Sequence, residues 1–371
     1  MSKILFYFSD HGANHERVVQ NTYGGVGYYR IIKPSQQVKG HEVTVMGSEL
    51  TKKGETAEER WERLFDEYDV FWCPYFSDPM EASALFSTRD WMGKKVVIDC
   101  DDNFLDVLES HPLYDKLKTG KRDKAFMATI LSLADVVTVS TEPLKQRLRK
   151  HFKEVQGIEK NIVVIPNMND IKDWDVKREK RDPKKIVIGY PGSNSHQDDL
   201  AMLMPSLLEV MKKHKHVYFE VVGSISKDML PMFDTFPLDV MKRIDIWPGT
   251  FTFKEYPAFI GGRNWDIGVC PLADNVFTRC KSHIKFMEYS ALKIPVIASR
   301  VHPYYVPIED KFVIEHEKTG LLVKPNEWVE ALERMITDAE LRKTLATNAH
   351  QHILDNWQYN LSEKINEVLA L

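Results

Sequence analysis

The sequence predicts an α/β protein built from two doubly wound, Rossmann-like domains that face each other across a cleft. A chain of 371 residues is longer than an ordinary single hydrophobic core supports, which indicates two domains. Short apolar runs, such as 4–8 and 186–189, alternate with longer helical patterns, as in parallel sheets covered by helices. We expect a first domain at 1–169, a charged linker at 170–185 and a second domain at 186–356, with a last helix at 357–371 that packs back on the first domain.

Composition limits the classes of protein to which the chain can belong. The formal net charge is −4, so no overall basic field marks a nucleic-acid-binding or membrane protein. The cysteines show no paired spacing and are predicted to be free thiols in a reducing compartment. The short apolar run near the start indicates a first strand rather than a signal peptide, and nothing has the length of a transmembrane helix. We therefore expect a cytoplasmic protein.

A β-loop-α-β unit is predicted at the start of the chain. The strand at 4–8 precedes the glycine-rich loop YGGVGYYR at 23–30, and a helix is expected from there to Val38. Gly25 and Gly27 would let the backbone approach a ligand closely. The spacing differs from G-x-G-x-x-G, so a plain tight turn is the alternative interpretation.

Acidic residues follow the strand predicted at 95–98. Asp99, Asp101 and Asp102 would lie at the carboxyl end of that strand, the edge of an open α/β sheet where ligands bind. Their mutual repulsion is unfavourable unless the cluster binds something, so they are candidate catalytic residues. The D-x-D spacing would also suit a metal ion, and helix capping is a further alternative.

Basic residues cluster in the predicted first domain. The helix expected after Thr141 places Leu144 and Leu148 on one face. Its other faces carry Lys145, Arg147, Arg149, Lys150 and Lys153. A second basic run spans 116–124. A solvated surface is the simpler interpretation, and a contact surface for an anionic lipid, glycan or nucleic acid is the alternative.

The predicted second domain opens with another strand, small-residue loop and helix. The strand at 186–189 runs into YPGSNSH at 190–196, and a helix is expected from Asp198. Free backbone amides at a helix start can hold a phosphate, because the helix dipole favours an anion there. The residues predicted to form this cradle are Gly192, Ser193, Asn194 and His196.

The stretch 277–300 predicts a basic loop, a helix and a buried strand. Arg279, Lys281 and Lys285 bring cations to the loop and the first helical turn. Ser282 is the predicted N-cap of that helix. Cations at a helix start suit a diphosphate, and Glu288 suits a ribose because a carboxylate accepts hydrogen bonds from both hydroxyls. Together these residues predict a nucleotide-diphosphate site.

The pattern K-S-x-x-K-x-x-E-Y-x-A-x-x-x-P-V-I-A-S at 281–299 resembles the donor-binding segment of retaining glycosyltransferases of family 4, which have the GT-B fold. GHEVTV at 40–45, VIPN at 164–167 and GLLV at 320–323 extend the resemblance. It implies a sugar donor on the C-terminal domain and an acceptor mainly on the N-terminal domain. It also implies that the loop at 23–30 borders the cleft, where we assign Tyr28 and Arg30 to the acceptor. The nucleotide base would lie beside Trp247, Gly249 and Thr250.

The chain departs from the family pattern at several positions. Asp101 stands where many members have a histidine that contacts the donor sugar. Tyr190 and, approximately, His196 stand where members have an arginine and a lysine, and Cys280 replaces the first glutamate of E-x7-E. Phosphate charge would then be met mainly by Arg279, Lys281 and Lys285.

The activity that the resemblance implies is transfer of a sugar from a nucleotide-diphosphate sugar to an acceptor hydroxyl, with retention at the anomeric carbon. No metal and no cofactor are expected beyond the nucleotide sugar as co-substrate. The acceptor would be a glycan or a lipid-linked glycan, with a hydroxylated base in DNA as the alternative. A lipid-linked acceptor would involve peripheral contact with a membrane. A nucleotide-sugar epimerase and a binding protein without catalysis remain as alternatives that share the fold.

Overall fold

Two six-stranded sheets form the frame of the molecule. The computed structural model describes residues 1–8, 23–47, 50–74, 78–109, 114, 124–167, 169–177, 182–192, 196–223, 232–247, 249, 252–308, 310–358 and 360–371. The strands are β1 (Lys3–Tyr7), β2 (Glu42–Met46), β3 (Val70–Pro74), β4 (Lys95–Cys100), β5 (Val136–Val139), β6 (Ile162–Val164), β7 (Ile186–Pro191), β8 (Val217–Val222), β9 (Ile244–Trp247), β10 (Ile267–Cys270), β11 (Val296–Ser299), β12 (Pro307–Ile308), β13 (Lys311–Phe312) and β14 (Leu321–Val323).

Helices connect most of these strands and cover the sheets. They are α1 (Lys33–Ser35), α2 (Ala57–Glu67), α3 (Pro79–Met92), α4 (Lys124–Leu133), α5 (Glu142–His151), α6 (Gln197–Lys213), α7 (Leu238–Met241), α8 (Tyr256–Arg263), α9 (Ile284–Ala291), α10 (Trp328–Thr337), α11 (Ala339–Asn356) and α12 (Ser362–Ala370). A π-helical segment, Gly27–Ile32, leads into α1. Among the described residues, no helix is both long and apolar enough to span a membrane.

The first sheet has the strand order β2-β1-β3-β4-β5-β6, with parallel neighbours throughout. Strand β1 lies between β2 and β3, so the order reverses there, and ligands bind outside the carboxyl ends of strands at such switch points. The middle of strand β4 is apolar because both faces of a parallel sheet are covered. Its residues Val96, Val97 and Ile98 are fully buried.

The second sheet has the order β14-β11-β10-β7-β8-β9 and is also parallel. Its switch point lies at β7, between β10 and β8. Helix α6 packs on this sheet through Leu200, Leu203 and Leu207, which the helical repeat places on one face. The predicted α/β class with two doubly wound sheets is therefore confirmed.

The end of the chain returns to the first sheet. Leu361, Ile365 and Val368 belong to the buried cluster that also contains Phe6 and Trp72 of the first sheet. This helix begins at Ser362, later than the predicted 357, because Trp357 ends α11 and is buried in a different cluster.

Two local predictions about helix starts were wrong. Gly25 lies in a helical turn and Gly27 begins the π-helical segment, so neither belongs to an open loop. Burial of the following Tyr28 and Tyr29 outweighs the weak helix propensity of glycine. Helix α9 begins after His283 without a side-chain cap, whereas the Ser282 hydroxyl accepts a 2.8 Å hydrogen bond from Asn167 Nδ2.

Candidate active site

A cavity of about 400 Å³ lies between the two sheets, beside the carboxyl ends of their strands. It is lined by residues that follow β4, β7, β8 and β10, which is where open α/β sheets bind ligands. The predicted site residues that line it are Gly25, Arg30, Asp101, Asp102, Gly192, His196, Gly249, Lys281, Ser282, Lys285 and Glu288. The tertiary structure thus brings residues of both halves of the chain to one cavity.

The other predicted site residues are either absent from the cavity lining or outside the part of the chain that the structure describes. The structure describes Asp99, Gly27, Tyr28 and Trp247, but they are not among the residues that line the cavity. The Arg279 side chain is 57% exposed and paired with Asp274, and it is also outside that lining. Ser193, Asn194 and Thr250 fall outside the described residues, as does the basic run at 116–124 apart from Lys124.

Glycines at the ends of β7 and β8 allow the two strand ends to meet at the cavity wall. Gly223 has a φ of +143°, and a Cβ atom there would lie 1.6 Å from the carbonyl oxygen of Gly192. A Cβ atom on Gly192 would lie 2.7 Å from the Tyr190 ring. Because no larger side chain fits, the backbone at this wall is open to a ligand.

Lysines supply positive charge to the cavity. Lys281 Nζ lies 2.7 Å from Asp102 Oδ1 and 4.6 Å from the centre of the Phe277 ring. Lys285 Nζ lies 3.1 Å from His196 Nε2. Burial, together with the nearby Lys285 charge, lowers the pKa of His196 to about 4, so its imidazole is neutral at neutral pH. Burial also lowers the pKa of Lys285.

Glu288 is 7% exposed and lies between two tyrosines. Tyr29 Oη donates to its Oε1 at 2.8 Å, and Tyr256 Oη donates to its Oε2 at 3.2 Å. Burial raises the pKa of Glu288 to about 7, against the opposing effect of these hydrogen bonds. Each carboxylate oxygen has the capacity to accept a second hydrogen bond, so the carboxylate can still receive ligand hydroxyls.

The acidic cluster divides into a buried part and a part that faces the cavity. Asp99 is 2% exposed and accepts two hydrogen bonds from Arg30, from Nε at 2.9 Å and from Nη2 at 2.6 Å. Thr138 Oγ1 donates to it as well. Asp101 and Asp102 face the cavity, and burial beside Asp102 and Asp99 raises the pKa of Asp101 to about 7. Asp99 therefore holds Arg30, which lines the cavity.

The two halves of the chain also contact each other through Tyr28 and Cys280, which are next in sequence to residues of the cavity lining. The Tyr28 ring stacks on the Phe253 ring with centroids 3.5 Å apart. Thr141 Oγ1 donates a 2.8 Å hydrogen bond to the carbonyl oxygen of Cys280. The cavity is thus a composite of both halves. Within the described residues, no group of three His, Cys, Asp or Glu side chains is placed to hold a metal ion.

Sequence reasoning missed several residues of this site. Tyr29, Tyr256 and Asn167 line the cavity, and Asp199 lies behind it. Asp199 follows His196 by three positions at a helix start, a spacing that places both side chains on one face and could have revealed the pair. Tyr256 carries no local signal, because only the packing of α8 brings it to Glu288.

No protein-family model matches the chain. Over 166 residues the chain is 24% identical to glycosyltransferase 1 domain-containing protein 1 of Xenopus tropicalis, and the match covers 43% of each chain. Among solved structures, the chain is similar to an alpha-glucosyltransferase in complex with UDP and a 13-mer DNA containing an HMU base. That similarity has a TM-score of 0.67 and 10% identity, and it covers 100% of this chain and 98% of the other.

Two further solved structures are similar over most of the chain. TarM gives a TM-score of 0.57 at 16% identity, over 84% of this chain and 57% of that protein. The pneumococcal O-GlcNAc transferase GtfA, in complex with UDP and GlcNAc, gives a TM-score of 0.56 at 13% identity, over 83% and 59% respectively. The chain thus spans less than two thirds of the Xenopus tropicalis relative, of TarM and of GtfA. At these identities the likeness concerns the fold, and with the two parallel sheets it confirms the predicted GT-B fold.

Proposed function

We propose that the chain is a glycosyltransferase that moves a sugar from a UDP-sugar to an acceptor hydroxyl, with retention and without a metal ion. One observation carries this proposal: Lys281, Lys285 and Glu288 line the same cavity between the halves of a GT-B fold. These side chains offer positive charge for a diphosphate and an acceptor of hydrogen bonds for a ribose. The UDP in the similar alpha-glucosyltransferase structure, and the name of the Xenopus tropicalis relative, support this reaction class.

The donor binds mainly through the second half of the chain. Its phosphates lie beside Lys281, Lys285 and the open backbone at Gly192, and its ribose hydroxyls donate to Glu288. Positive charge held in place before the reaction stabilises the negative charge that develops on the leaving diphosphate. The lysines would therefore serve both donor binding and departure of UDP.

The acceptor binds on the opposite wall, where Asp101, Asp102 and Arg30 face the cavity. Its oxygen forms a bond to the anomeric carbon on the face from which UDP leaves, as the bond from that carbon to the phosphate oxygen breaks. UDP keeps the electron pair, and a phosphate oxygen takes the proton of the acceptor. Asp101 and Asp102 orient hydroxyl groups by accepting hydrogen bonds.

A direct assay tests this proposal. The purified protein is incubated with UDP-glucose, UDP-galactose or UDP-N-acetylglucosamine and a panel of hydroxyl acceptors, and NMR identifies the anomer of the product. We expect UDP release together with a product of retained configuration. An inverted product would contradict retention, and an epimerised donor formed without acceptor would identify an epimerase. UDP binding without turnover on any acceptor would favour a binding protein.

Transfer to a hydroxylated base in DNA is a second candidate, because α5 and the residues after it carry an exposed basic face. Arg149, Lys150 and Lys153 are exposed, although the chain has a net charge of −4. The DNA in the similar alpha-glucosyltransferase structure supports this candidate. Duplexes with and without hydroxymethylated pyrimidines test it, since DNA binding should weaken steeply with added salt.

A charge-reversal variant separates this role from that of a solvated surface. Changing Lys145, Arg149 and Lys153 to glutamate should reduce turnover on DNA while UDP binding stays unchanged. Survival of turnover on DNA at low salt would contradict the role of the basic face.

A further inference from the structure

A hydrogen-bonded chain of three side chains lies on the lysine wall of the cavity. Asp199 Oδ2 lies 2.7 Å from His196 Nδ1, and His196 Nε2 lies 3.1 Å from Lys285 Nζ. Asp199 is 3% exposed, whereas His196 and Lys285 line the cavity. The chain therefore runs from a buried carboxylate to a cation that faces the proposed diphosphate.

The chemistry of the partners determines the tautomer of His196. An ionised carboxylate can only accept hydrogen bonds. Nδ1 of His196 must therefore carry the proton and donate the hydrogen bond to Asp199. Because the imidazole is neutral, its Nε2 then has a free lone pair, which accepts a hydrogen bond from the Lys285 ammonium group. The opposite tautomer would place an N–H group against that ammonium group.

A neutral histidine holds the lysine without cancelling its charge. In the described part of the chain, no Asp or Glu side chain forms an ion pair with Lys285 Nζ. Lys281, by contrast, is paired with Asp102 at 2.7 Å. No direct ion pair among the described residues therefore offsets the Lys285 charge, and the position of the ammonium group is set by His196.

The backbone fixes Asp199 in turn. Its second oxygen, Oδ1, accepts a 2.7 Å hydrogen bond from the backbone N–H of Ala273, in the segment after β10. One carboxylate oxygen is thus held by the backbone and the other by His196. This arrangement fixes the carboxylate in the orientation that the tautomer requires.

We propose that Asp199 is a positioning residue that fixes the tautomer of His196, so that neutral His196 holds Lys285 toward the donor diphosphate. This inference rests on the proposed function, because it assumes that a diphosphate binds at Lys285. Asp199 is not among the residues that line the cavity, and its hydrogen bond to His196 is the contact through which it acts.

The variant Asp199→Asn tests the proposal. The backbone N–H of Ala273 requires the amide oxygen of asparagine, so the NH₂ group faces His196 Nδ1. The proton of His196 then moves to Nε2, which can no longer accept from Lys285. Calorimetry should show UDP binding weakened by about tenfold or more, the effect of losing a hydrogen bond to a charged group, while uridine binding stays within about twofold. The exposed neighbour Asp198 provides a matched control, since Asp198→Asn removes the same charge from the same helical turn.

Variants of His196 separate positioning from general damage. His196→Gln keeps an oxygen that can accept a hydrogen bond from Lys285, so this variant should retain most of the UDP affinity. His196→Ala has no such acceptor and should bind UDP as weakly as Asp199→Asn. Imidazole ¹⁵N NMR should show the Nδ1–H tautomer in the wild type and the Nε2–H tautomer in Asp199→Asn. The His196→Gln spectrum assigns the resonance.

The outcomes distinguish this inference from the proposed function. Wild-type UDP affinity in Asp199→Asn and His196→Ala would overturn the positioning role and leave the donor site intact. An Nε2–H tautomer in the wild type would overturn it as well. Failure of the wild type to bind UDP would contradict the proposed donor, while the imidazole spectrum of the same protein would still test the tautomer.

Discussion

Replacing Asp102 by asparagine should tighten UDP binding, although it removes a carboxylate from the proposed active site. Asp102 Oδ1 lies 2.7 Å from Lys281 Nζ, so the carboxylate offsets the charge that a phosphate would use. A phosphate at Lys281 must compete with this ion pair and approach the Asp102 carboxylate. Removing the carboxylate charge eliminates both effects, because an amide has no net charge.

The solvent exposure of the Lys281–Asp102 ion pair determines how large the change in UDP affinity should be. The Lys281 and Asp102 side chains are 17% and 43% exposed, so solvent screens their attraction. Such a pair is worth about 0.2–1 kcal/mol, which corresponds to a decrease in Kd of up to about fivefold for Asp102→Asn. Lys281→Met should instead weaken UDP binding by about 1.5–3 kcal/mol, because it removes a hydrogen bond to a charged phosphate. The double variant should bind UDP more tightly than Lys281→Met, since the unpaired carboxylate is gone.

Calorimetry with UDP at low ionic strength measures these changes, and melting curves check that each variant is folded. Lys318→Met is the control, because it removes a lysine charge from a side chain that is 74% exposed. Weaker UDP binding by a folded Asp102→Asn variant would refute the reasoning. Unchanged binding by Lys281→Met would remove Lys281 from the phosphate site.

Further predictions concern Glu288, the buried ion pair between Arg30 and Asp99, and the dependence of turnover on a metal ion. Glu288→Gln should lose more affinity for UDP than for 2′,3′-dideoxy-UDP, and equal losses in calorimetry would contradict the ribose assignment. Because burial raises the pKa of Glu288 from 4.5 to about 7, its contribution to the free energy of unfolding is complete below pH 4.5 and is lost as the pH rises to about 7. Urea denaturation of Glu288→Gln should therefore show a flatter profile over that range, and an unchanged slope would contradict the raised pKa. Arg30→Met should lower the free energy of unfolding by about 3–5 kcal/mol, because it leaves Asp99 buried and without its cation. The double variant Arg30→Met/Asp99→Leu should recover most of the lost stability. Equal losses of stability in the single and double variants, measured by urea denaturation, would contradict this prediction. Turnover of a UDP-sugar should survive excess EDTA, and a loss that Mg²⁺ or Mn²⁺ restores would show that a metal is needed.

The amino-acid sequence alone determined the fold class and one wall of the cavity. Apolar runs separated by helical patterns predicted the parallel sheets, because strands covered on both faces are apolar over most of their length. Lys281, Lys285 and Glu288 lie within one short segment: Lys281 is in the loop before α9, and Lys285 and Glu288 are three residues apart on one side of α9. These relations are local in the chain, so the residue pattern expresses them directly.

The tertiary structure decided how those residues are partnered. Tyr29 meets Glu288 across 259 positions of the sequence, and Asp102 meets Lys281 across 179. Neither contact leaves a periodic signal, because each depends on how the two halves pack. The same packing buried Asp99 against Arg30 and gave the Ser282 hydroxyl a partner in Asn167 instead of a helix end. A carboxylate or a hydroxyl offers the same hydrogen-bonding groups in either role, so only the neighbours that folding brings to it determine which role it takes.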